Sequence, residues 1–352
     1  MTGQMIPALL ALLITLGLTP AVTRLALRAG LVEYPSHRRI HRAPRPLGGG
    51  IALFAAFWLA LVLSGNWTSE LWGLFVSSAV VLITGLIDDM KDLSPGRKFA
   101  GQTVAALILI AAGTRIEFVT NPFGGMIYLS YWSIPITLFW LLAITNLINF
   151  MDGLDGLAAG VVAIACGPMV AVAVMMERPL AALLAVVLAG SALGFLPYNF
   201  NPARIFMGDA GALFLGFMLG AISVEGALKG PTVIAIGVST LALGLPIVDT
   251  AFAILRRLRS GRPFYQADMG HVHHRLLALG YTQRQVVVAL YAVSAGLSLL
   301  AHTLLYRSLG QAVALFTAAM TGMVLAAAYF GLQYGPGQER DRWAQRRSNG
   351  GG

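Results

Sequence analysis

Charged residues are scarce in this chain of 352 residues, where 11% are Asp, Glu, Lys or Arg and 57% are apolar. A soluble domain carries about 25% charged residues, so the composition excludes an ordinary soluble protein and indicates an integral membrane protein. The weak alternation that marks a membrane β-barrel is also missing. A single cysteine, Cys166, lies in an apolar run, which excludes an intramolecular disulfide and predicts a small core side chain.

The sequence is instead rich in long apolar runs. Eleven are present, near residues 5–23, 48–64, 71–87, 99–113, 134–150, 157–175, 180–196, 210–224, 232–254, 286–305 and 310–332. Because a membrane helix needs roughly 20 apolar residues, we predict an all-α polytopic bundle of about 11 transmembrane helices. Residues 1–334 then form one transmembrane domain, and residues 335–352 form a polar tail that we expect to be disordered.

The basic residues predict the orientation of the bundle. If all eleven runs cross, Arg115, Arg178, Lys229 and Arg307 lie on one side, and the other 20 of the 24 basic residues lie opposite. The positive-inside rule makes the rich side cytoplasmic, with the N-terminus outside and the C-terminus inside. This bias accounts for the net charge of +9 without nucleic-acid binding.

All nine aspartates fall on the predicted cytoplasmic side as well. Acidic residues contribute little to membrane orientation, so their segregation indicates chemistry at that face. Asp88 and Asp89 are adjacent at the end of a predicted helix. Neighbouring carboxylates repel each other, so such a pair holds a cation or takes up a proton; the alternative is a solvated helix end.

A second acidic motif, NLINFMDGLDGL, occupies residues 146–157. Its polar side chains are spaced so that the first three share one helical face if the helix continues, and glycines in the two Asp-Gly pairs allow a ligand to approach the backbone. The residues concerned are Asn146, Asn149, Asp152 and Asp155. Polar groups at a membrane helix end are costly without a partner, which favours a site over a capped loop.

A third motif, YNFNPARIFMGDAG, spans residues 198–211 and contains Asn199, Phe206 and Asp209. Asp209 stands where the next apolar run begins, so it is a candidate helix N-cap. A Gly-Asp pair also occurs in intramembrane aspartyl proteases, but their wider glycine pattern and their Tyr-Asp partner are missing.

Basic groups complete the predicted cytoplasmic face. The stretch DMGHVHHR contains His271, His273, His274 and Arg275; it has neither cysteine nor an HExxH motif for zinc, and we favour phosphate binding. Segment 33–50 is basic and ends in three glycines, so it either faces anionic lipid or contributes to binding an anionic substrate. Together these segments predict a polyanion site with a divalent metal, because Mg²⁺ uses one or two carboxylates plus substrate phosphate oxygens.

From about residue 30 to 280, the motifs resemble those of the polyprenyl-phosphate N-acetylhexosamine-1-phosphate transferases of glycosyltransferase family 4 type. The resemblance implies ten or eleven transmembrane helices in a bacterial inner membrane and an active site at the cytoplasmic face. It implies Mg²⁺-dependent transfer of a sugar-1-phosphate from a UDP-sugar to undecaprenyl or another polyprenyl phosphate, with release of UMP. Mn²⁺ is an alternative metal, and a homodimer is expected from the family alone.

The resemblance also implies roles, position by position. Asp209 matches the Mg²⁺ ligand, Asp152 an active-site aspartate that we also expect to bind the metal, and Asp88 and Asp89 a pair linked to metal and to the lipid phosphate. Two residues, Asp155 and Phe206, match the family's uracil-binding positions. Three more match polar residues near the family's catalytic centre: Asn149, Asn199 and Lys98.

The histidine stretch points to a branch of the family. His271, His273 and His274 form the His-x-His-His pattern of the UDP-GlcNAc:undecaprenyl-phosphate GlcNAc-1-phosphate transferases (the WecA/TagO branch), whereas the muramoyl-pentapeptide enzymes carry three consecutive histidines. This favours UDP-GlcNAc as the donor and leaves UDP-GalNAc or a deoxyamino sugar open. With Arg275, the histidines are expected to hold the diphosphate or the sugar.

Two questions stay open at this point. Direct attack of the lipid phosphate on the β-phosphorus is our mechanistic hypothesis, and a covalent aspartyl intermediate is its alternative. A secondary transporter would show mid-membrane ionisable residues and broken helices, and Asp249 alone lies well inside an apolar run. The other class of protein to consider is a non-catalytic lipid-binding scaffold, which the complete set of acidic motifs disfavours.

Overall fold

The computed structural model describes residues 2–34, 44–120, 125–227, 232–259 and 271–333. Within these ranges the chain is largely helical. The helices are α1 Thr2–Arg28, α2 Gly49–Leu63, α3 Leu71–Lys91, α4 Pro95–Ala111, α5 Ser133–Met151, α6 Leu157–Met175, α7 Pro179–Asn199, α8 Gly208–Ala227, α9 Thr232–Ala242, α10 Gly244–Arg259, α11 Val272–Ala278, α12 Gln283–Leu304 and α13 Leu309–Gln333. The predicted all-α membrane fold is confirmed.

Every predicted apolar run coincides with a helix or a helix pair. Eight helices are long and apolar enough to span a membrane, and α9 with α10 raises the number to as many as nine within the described ranges. Helices α2 and α4 have only 15 and 17 residues, fewer than the roughly 20 of a typical span. The count of eleven crossings and the orientation therefore stay predictions.

The uniform hydropathy of the run 232–254 suggests one straight helix, but the structure has two. Helices α9 and α10 meet at an angle of 74°. Gly244 and Pro246 lie at the break; glycine weakens a helix, and proline removes a backbone donor. The bend redirects α10, which carries Asp249 towards the histidine stretch described below.

Two short antiparallel hairpins accompany the helices. Strands β3 Phe118–Thr120 and β4 Met126–Tyr128 pair in the 114–133 connection. Strands β1 Val32–Glu33 and β2 Arg45–Pro46 pair across the base of the first basic loop. Most of that loop, residues 35–43, lies outside the described residues, as do residues 260–270 and the predicted tail 335–352.

The start of α2 is paired with the chain that leads into α8. The N–H of Phe206 donates to Pro46 O at 2.9 Å, and the N–H groups of Gly49 and Gly50 donate to Phe206 O and Met207 O, each at 3.0 Å. A Cβ on Gly50 would lie 2.3 Å from the Gly211 nitrogen. These glycines therefore act in close backbone packing, a role that their interpretation as the end of a basic loop missed.

Helix α8 is the most buried of the candidate spans, and α3 approaches it through Gly85. A Cβ built on Gly85 would lie 2.4 Å from Ala210 Cα and 2.5 Å from Ala210 N. Since both contacts are to backbone, a side chain here would have to push the two helices apart. Small residues allow this kind of approach between membrane helices.

Gly85→Ala should therefore lower the stability of the bundle by about 1–3 kcal/mol, the usual cost of overpacking. The matched control is Gly296→Ala, also inside a helix, where a new Cβ would meet nothing within 4 Å. Thermal unfolding of the detergent-purified protein should show a lower Tm for Gly85→Ala only. Equal Tm values for the two variants would contradict the close approach of α3 and α8.

Candidate active site

Lys98 joins four helix ends at one end of the bundle. Its Nζ lies 2.9 Å from Asp88 Oδ2 and 2.9 Å from Asp209 Oδ1, and it donates to Asn149 Oδ1 at 3.0 Å. Asn149 Nδ2 in turn donates to Asp209 Oδ1. The four residues come from α4, α3, α8 and α5, so motifs distant in sequence meet at a single ammonium group.

Asp89 has a different task from its neighbour Asp88. Its carboxylate accepts hydrogen bonds from the N–H of Asp209 at 2.7 Å and of Ala210 at 3.2 Å. It thus satisfies orphan donors in the first turn of α8, where a negative charge is also favoured by the helix dipole. Asp209 lies inside that first turn, so its interpretation as the N-cap is wrong, and the capping carboxylate comes from α3.

A cavity of about 760 Å³ opens beside this cluster. Seven acidic side chains line it, among them Asp88, Asp89, Asp152 and Asp209, and Arg45 and His274 also belong to its wall. A space of this size and charge cannot hold a bare polyanion without added cations. The predicted convergence of the acidic motifs on one site is present in the structure.

Asp152 is the acid in this cavity that most needs a cation. No hydrogen bond or ion pair reaches its carboxylate from the residues that the structure describes. Burial raises its pKa well above the usual value, and the negative charges of Asp209, Asp89 and Asp155 act in the same direction. The carboxylate therefore favours a bound proton or a bound cation over isolated ionisation.

Two amide side chains of the second and third motifs form hydrogen bonds that hold the structure around the cavity together. Asn146 exchanges hydrogen bonds with Gln102 of α4, at 2.6 and 3.3 Å, and so faces α4 instead of the cavity. Asn199 is 2% exposed; it accepts from Gly156 N at 3.0 Å and donates to Ile205 O at 3.1 Å. Asn199 thus holds two loops of the site together, and both ends of its amide are used in doing so.

The histidine stretch approaches the same site through α10. His271 Nδ1 lies 2.8 Å from Asp249 Oδ2, and Asp249 Oδ1 accepts from Val272 N at 2.9 Å. His273 is buried and packs on the Asp-Gly turn, since a Cβ on Gly153 would lie 2.8 Å from its Nε2. Burial, reinforced by the nearby charges of His274 and His271, lowers the pKa of His273 to about 3, so this ring is neutral at physiological pH.

The predicted site residues therefore occupy two layers. Asp88, Asp89, Asn149, Asp152, Asp155, Asn199, Phe206, Asp209 and His274 line the cavity. Lys98 ties the carboxylates together beside it, while His271 and His273 are both buried, the second of them against the Asp-Gly turn. Arg275 follows them on α11 and is not among the lining residues. Arg262 and Asp268 lie outside the described residues.

Two residues near the site, Asp249 and Arg257, were not predicted from the sequence to belong to it. Asp249 was noted only as an ionisable residue inside an apolar run, and its partner His271 is 22 positions away. Arg257, in the basic last turn of α10, is 5% exposed and lies 5.9 Å from the centroid of the Phe150 ring. The strongly polar end of α10 was the available signal, but the 74° bend that directs it was not visible in the hydropathy.

The chain is similar in sequence to known membrane transferases. Residues 71–227 match the family described as Glycosyl transferase family 4. The chain is 37% identical over 287 residues to a probable undecaprenyl-phosphate N-acetylglucosaminyl 1-phosphate transferase of Bacillus subtilis, covering 81% of this chain and 80% of the relative. It is 36% identical over 318 residues to a decaprenyl-phosphate N-acetylglucosaminephosphotransferase of Mycobacterium tuberculosis, covering 80% and 78%.

A more distant relative has a similar description. An undecaprenyl-phosphate α-N-acetylglucosaminyl 1-phosphate transferase of Yersinia pestis is 26% identical over 283 residues, covering 79% of this chain and 78% of that protein. The chain belongs to the polyprenyl-phosphate N-acetylglucosamine 1-phosphate transferases of glycosyl transferase family 4. Its apolar helices and its bacterial relatives make it a multi-pass bacterial inner-membrane protein.

Asp249→Asn should reduce turnover roughly tenfold or more, since a charge-assisted hydrogen bond to His271 is lost and the new amide cannot accept from both of its present donors. The control is Glu70→Gln, which removes an exposed negative charge at the start of α3, the end opposite the cavity. Turnover per folded protein should fall for Asp249→Asn alone. Equal activity of both variants would exclude a role for Asp249 in holding His271.

Proposed function

We propose that the protein transfers GlcNAc-1-phosphate from UDP-GlcNAc to undecaprenyl phosphate, or another polyprenyl phosphate, and releases UMP. The observation that carries the proposal is the meeting of three separate acidic motifs around Lys98 at the wall of one cavity. The names of the relatives, which specify both N-acetylglucosamine 1-phosphate and a polyprenyl phosphate, support the same reaction.

The cavity suits one soluble and one lipid-borne reactant. It lies where the ends of α3, α5, α7 and α8 meet, so a nucleotide can enter from water while a polyprenyl chain stays in the bilayer. Asp155, Phe206 and His274 all line the cavity, and we assign the first two to the uracil. We assign His274, held by the buried His271 and His273, to the diphosphate or the sugar.

The chemistry is an in-line displacement at the β-phosphorus of the UDP-sugar. A phosphate monoester has a second pKa near 6, so the lipid phosphate is largely dianionic at pH 7 and attacks without a strong base. A new P–O bond forms to the lipid phosphate oxygen as the bond from the β-phosphorus to the bridging oxygen breaks, and UMP leaves with the electron pair. Such transfers depend mostly on positioning and electrostatic stabilisation.

Mg²⁺ is the metal whose chemistry fits these donors. Among the described residues no group of three or more His, Cys, Asp or Glu side chains is arranged to hold a metal by itself, and Mg²⁺ characteristically completes its shell with substrate phosphates and water. Asp209 and Asp152 would hold it, with Asp88 next to them. Once bound, it would offset negative charge on the diphosphate. Mn²⁺ would satisfy the same ligands.

The first experiment follows UMP release from detergent-purified protein with undecaprenyl phosphate and Mg²⁺. UDP-GlcNAc, UDP-GalNAc and UDP-MurNAc-pentapeptide are supplied separately. We expect release with UDP-GlcNAc alone, and its loss on chelation. Release with another donor only would contradict the assignment of the sugar and keep the reaction. Folded protein that releases no UMP from any UDP-sugar would contradict the proposal.

Asp152→Asn should weaken Mg²⁺ dependence because the variant keeps the shape of the side chain and removes one ligand charge. We expect the Mg²⁺ concentration for half-maximal activity to rise roughly tenfold or more, as for loss of a charge-assisted contact. The Mg²⁺-dependent increase in Tm should shrink in parallel. Glu117→Gln, which removes an exposed charge just before β3, is the control; an unchanged Mg²⁺ response in Asp152→Asn would refute this ligand assignment.

A further inference from the structure

One wall of the cavity carries a chain of polar contacts that the proposed reaction does not yet use. Asn201 Nδ2 donates to Asp155 Oδ2 at 3.0 Å and to Gln283 Oε1 at 2.6 Å. The N–H of Ala203 donates to the same oxygen of Asp155 at 3.0 Å. Asp155, Asn201 and Gln283 all line the cavity. One amide group thus holds a carboxylate and a second amide side by side.

Gln283 is fixed in place by the beginning of α12. Thr282 caps this helix and forms a capping box with Gln285: the Thr282 N–H donates to Gln285 Oε1 at 2.9 Å. Arg284 Nε donates to Asn201 O at 2.8 Å, which ties the first turn of α12 to the loop that carries Asn201. Gln283 therefore reaches the cavity from a rigid helix end, the kind of support that precise recognition requires.

These contacts leave one acceptor and one donor group available. The amide of Gln283 is planar, so accepting a hydrogen bond at Oε1 directs Nε2 and its two hydrogens to the other side. Asp155 Oδ2 already receives two donors, while Oδ1 has none. Within the described residues neither Gln283 Nε2 nor Asp155 Oδ1 has a protein partner. The wall presents a hydrogen-bond acceptor next to a donor.

We infer that Gln283 determines nucleobase specificity together with Asp155, and that Asn201 is the positioning residue for both. This inference rests on the proposed function. Uracil presents an imide N–H beside a carbonyl oxygen: Asp155 accepts from the N–H and Gln283 donates to the carbonyl. Cytosine presents the inverse pattern, a ring-nitrogen acceptor beside an amino donor. It would therefore place acceptor against acceptor and donor against donor.

A polar site of this kind discriminates strongly, because the wrong base leaves buried groups of the protein unpaired. Stacking on Phe206, in contrast, tolerates either pyrimidine, since both have an aromatic face. The selection of uridine over cytidine nucleotides should consequently depend on Gln283 and Asp155. UMP and CMP are the appropriate probes, because they differ only in this edge of the base.

The test compares Gln283→Glu with Gln285→Glu in the full-length protein in detergent. Both substitutions add one carboxylate to the first turn of α12, but Gln285 does not line the cavity, and glutamate preserves a capping box. Binding of UMP and of CMP is measured by calorimetry. We expect wild type and Gln285→Glu to bind UMP roughly tenfold or more tightly than CMP. In Gln283→Glu, UMP binding should fall about tenfold and the preference should disappear, because the new carboxylate accepts from the cytosine amino group.

Gln283→Leu provides a second, uncharged variant. It should also lose UMP affinity, without gaining any for CMP. An unchanged ratio of UMP to CMP affinity in both Gln283 variants would overturn the role of Gln283, even if wild type releases UMP from UDP-GlcNAc. Loss of the ratio in a protein that turns over no UDP-sugar would keep the base site and overturn the proposed reaction, so the two failures are distinguishable.

Discussion

The ammonium group of Lys98 is the interaction on which the rest of the site depends. Removing a carboxylate from water costs several kcal/mol unless a counter-charge and hydrogen bonds replace the solvent. Lys98 provides that replacement for Asp88 and Asp209 at once, and Asn149 satisfies the remaining hydrogen-bonding capacity. Since the partners belong to α3, α4, α5 and α8, one side chain fixes the relative positions of four helix ends.

Close helix packing gives this charge cluster its geometry. Gly85 brings the backbone of α3 against Ala210, and Gly50 brings α2 against Gly211. At that distance Asp89 can reach across and bond the first N–H groups of α8. The position of Asp209 is therefore determined twice, through its side chain by Lys98 and through its backbone by Asp89. Such preorganisation places charge without reorganisation during the reaction.

The sequence predicted the helices and the membership of the site better than the connections within it. Apolar runs located all the long helices because hydropathy acts locally. Motif chemistry likewise identified the acids that meet at the cavity. It did not reveal that Asp89 caps α8, that Asn146 turns towards Gln102, or that Asp249 holds His271. Each of these contacts joins residues from different helices, and helix orientation and packing decide which side of a polar stripe faces which neighbour.

The shared amide of Asn201 has a consequence for how donor preference can change over time. Both hydrogens of one Nδ2 are committed, one to Asp155 and one to Gln283, so the recognition of the base is a single coupled unit. A replacement of Asn201 would release Asp155 and Gln283 together, whereas a replacement of Gln283 alone changes one half of the recognition pattern and leaves Asp155 held by Asn201 and Ala203. Loss of the present preference is therefore open to a single substitution, whereas a full inversion of the pattern also requires a change at Asp155.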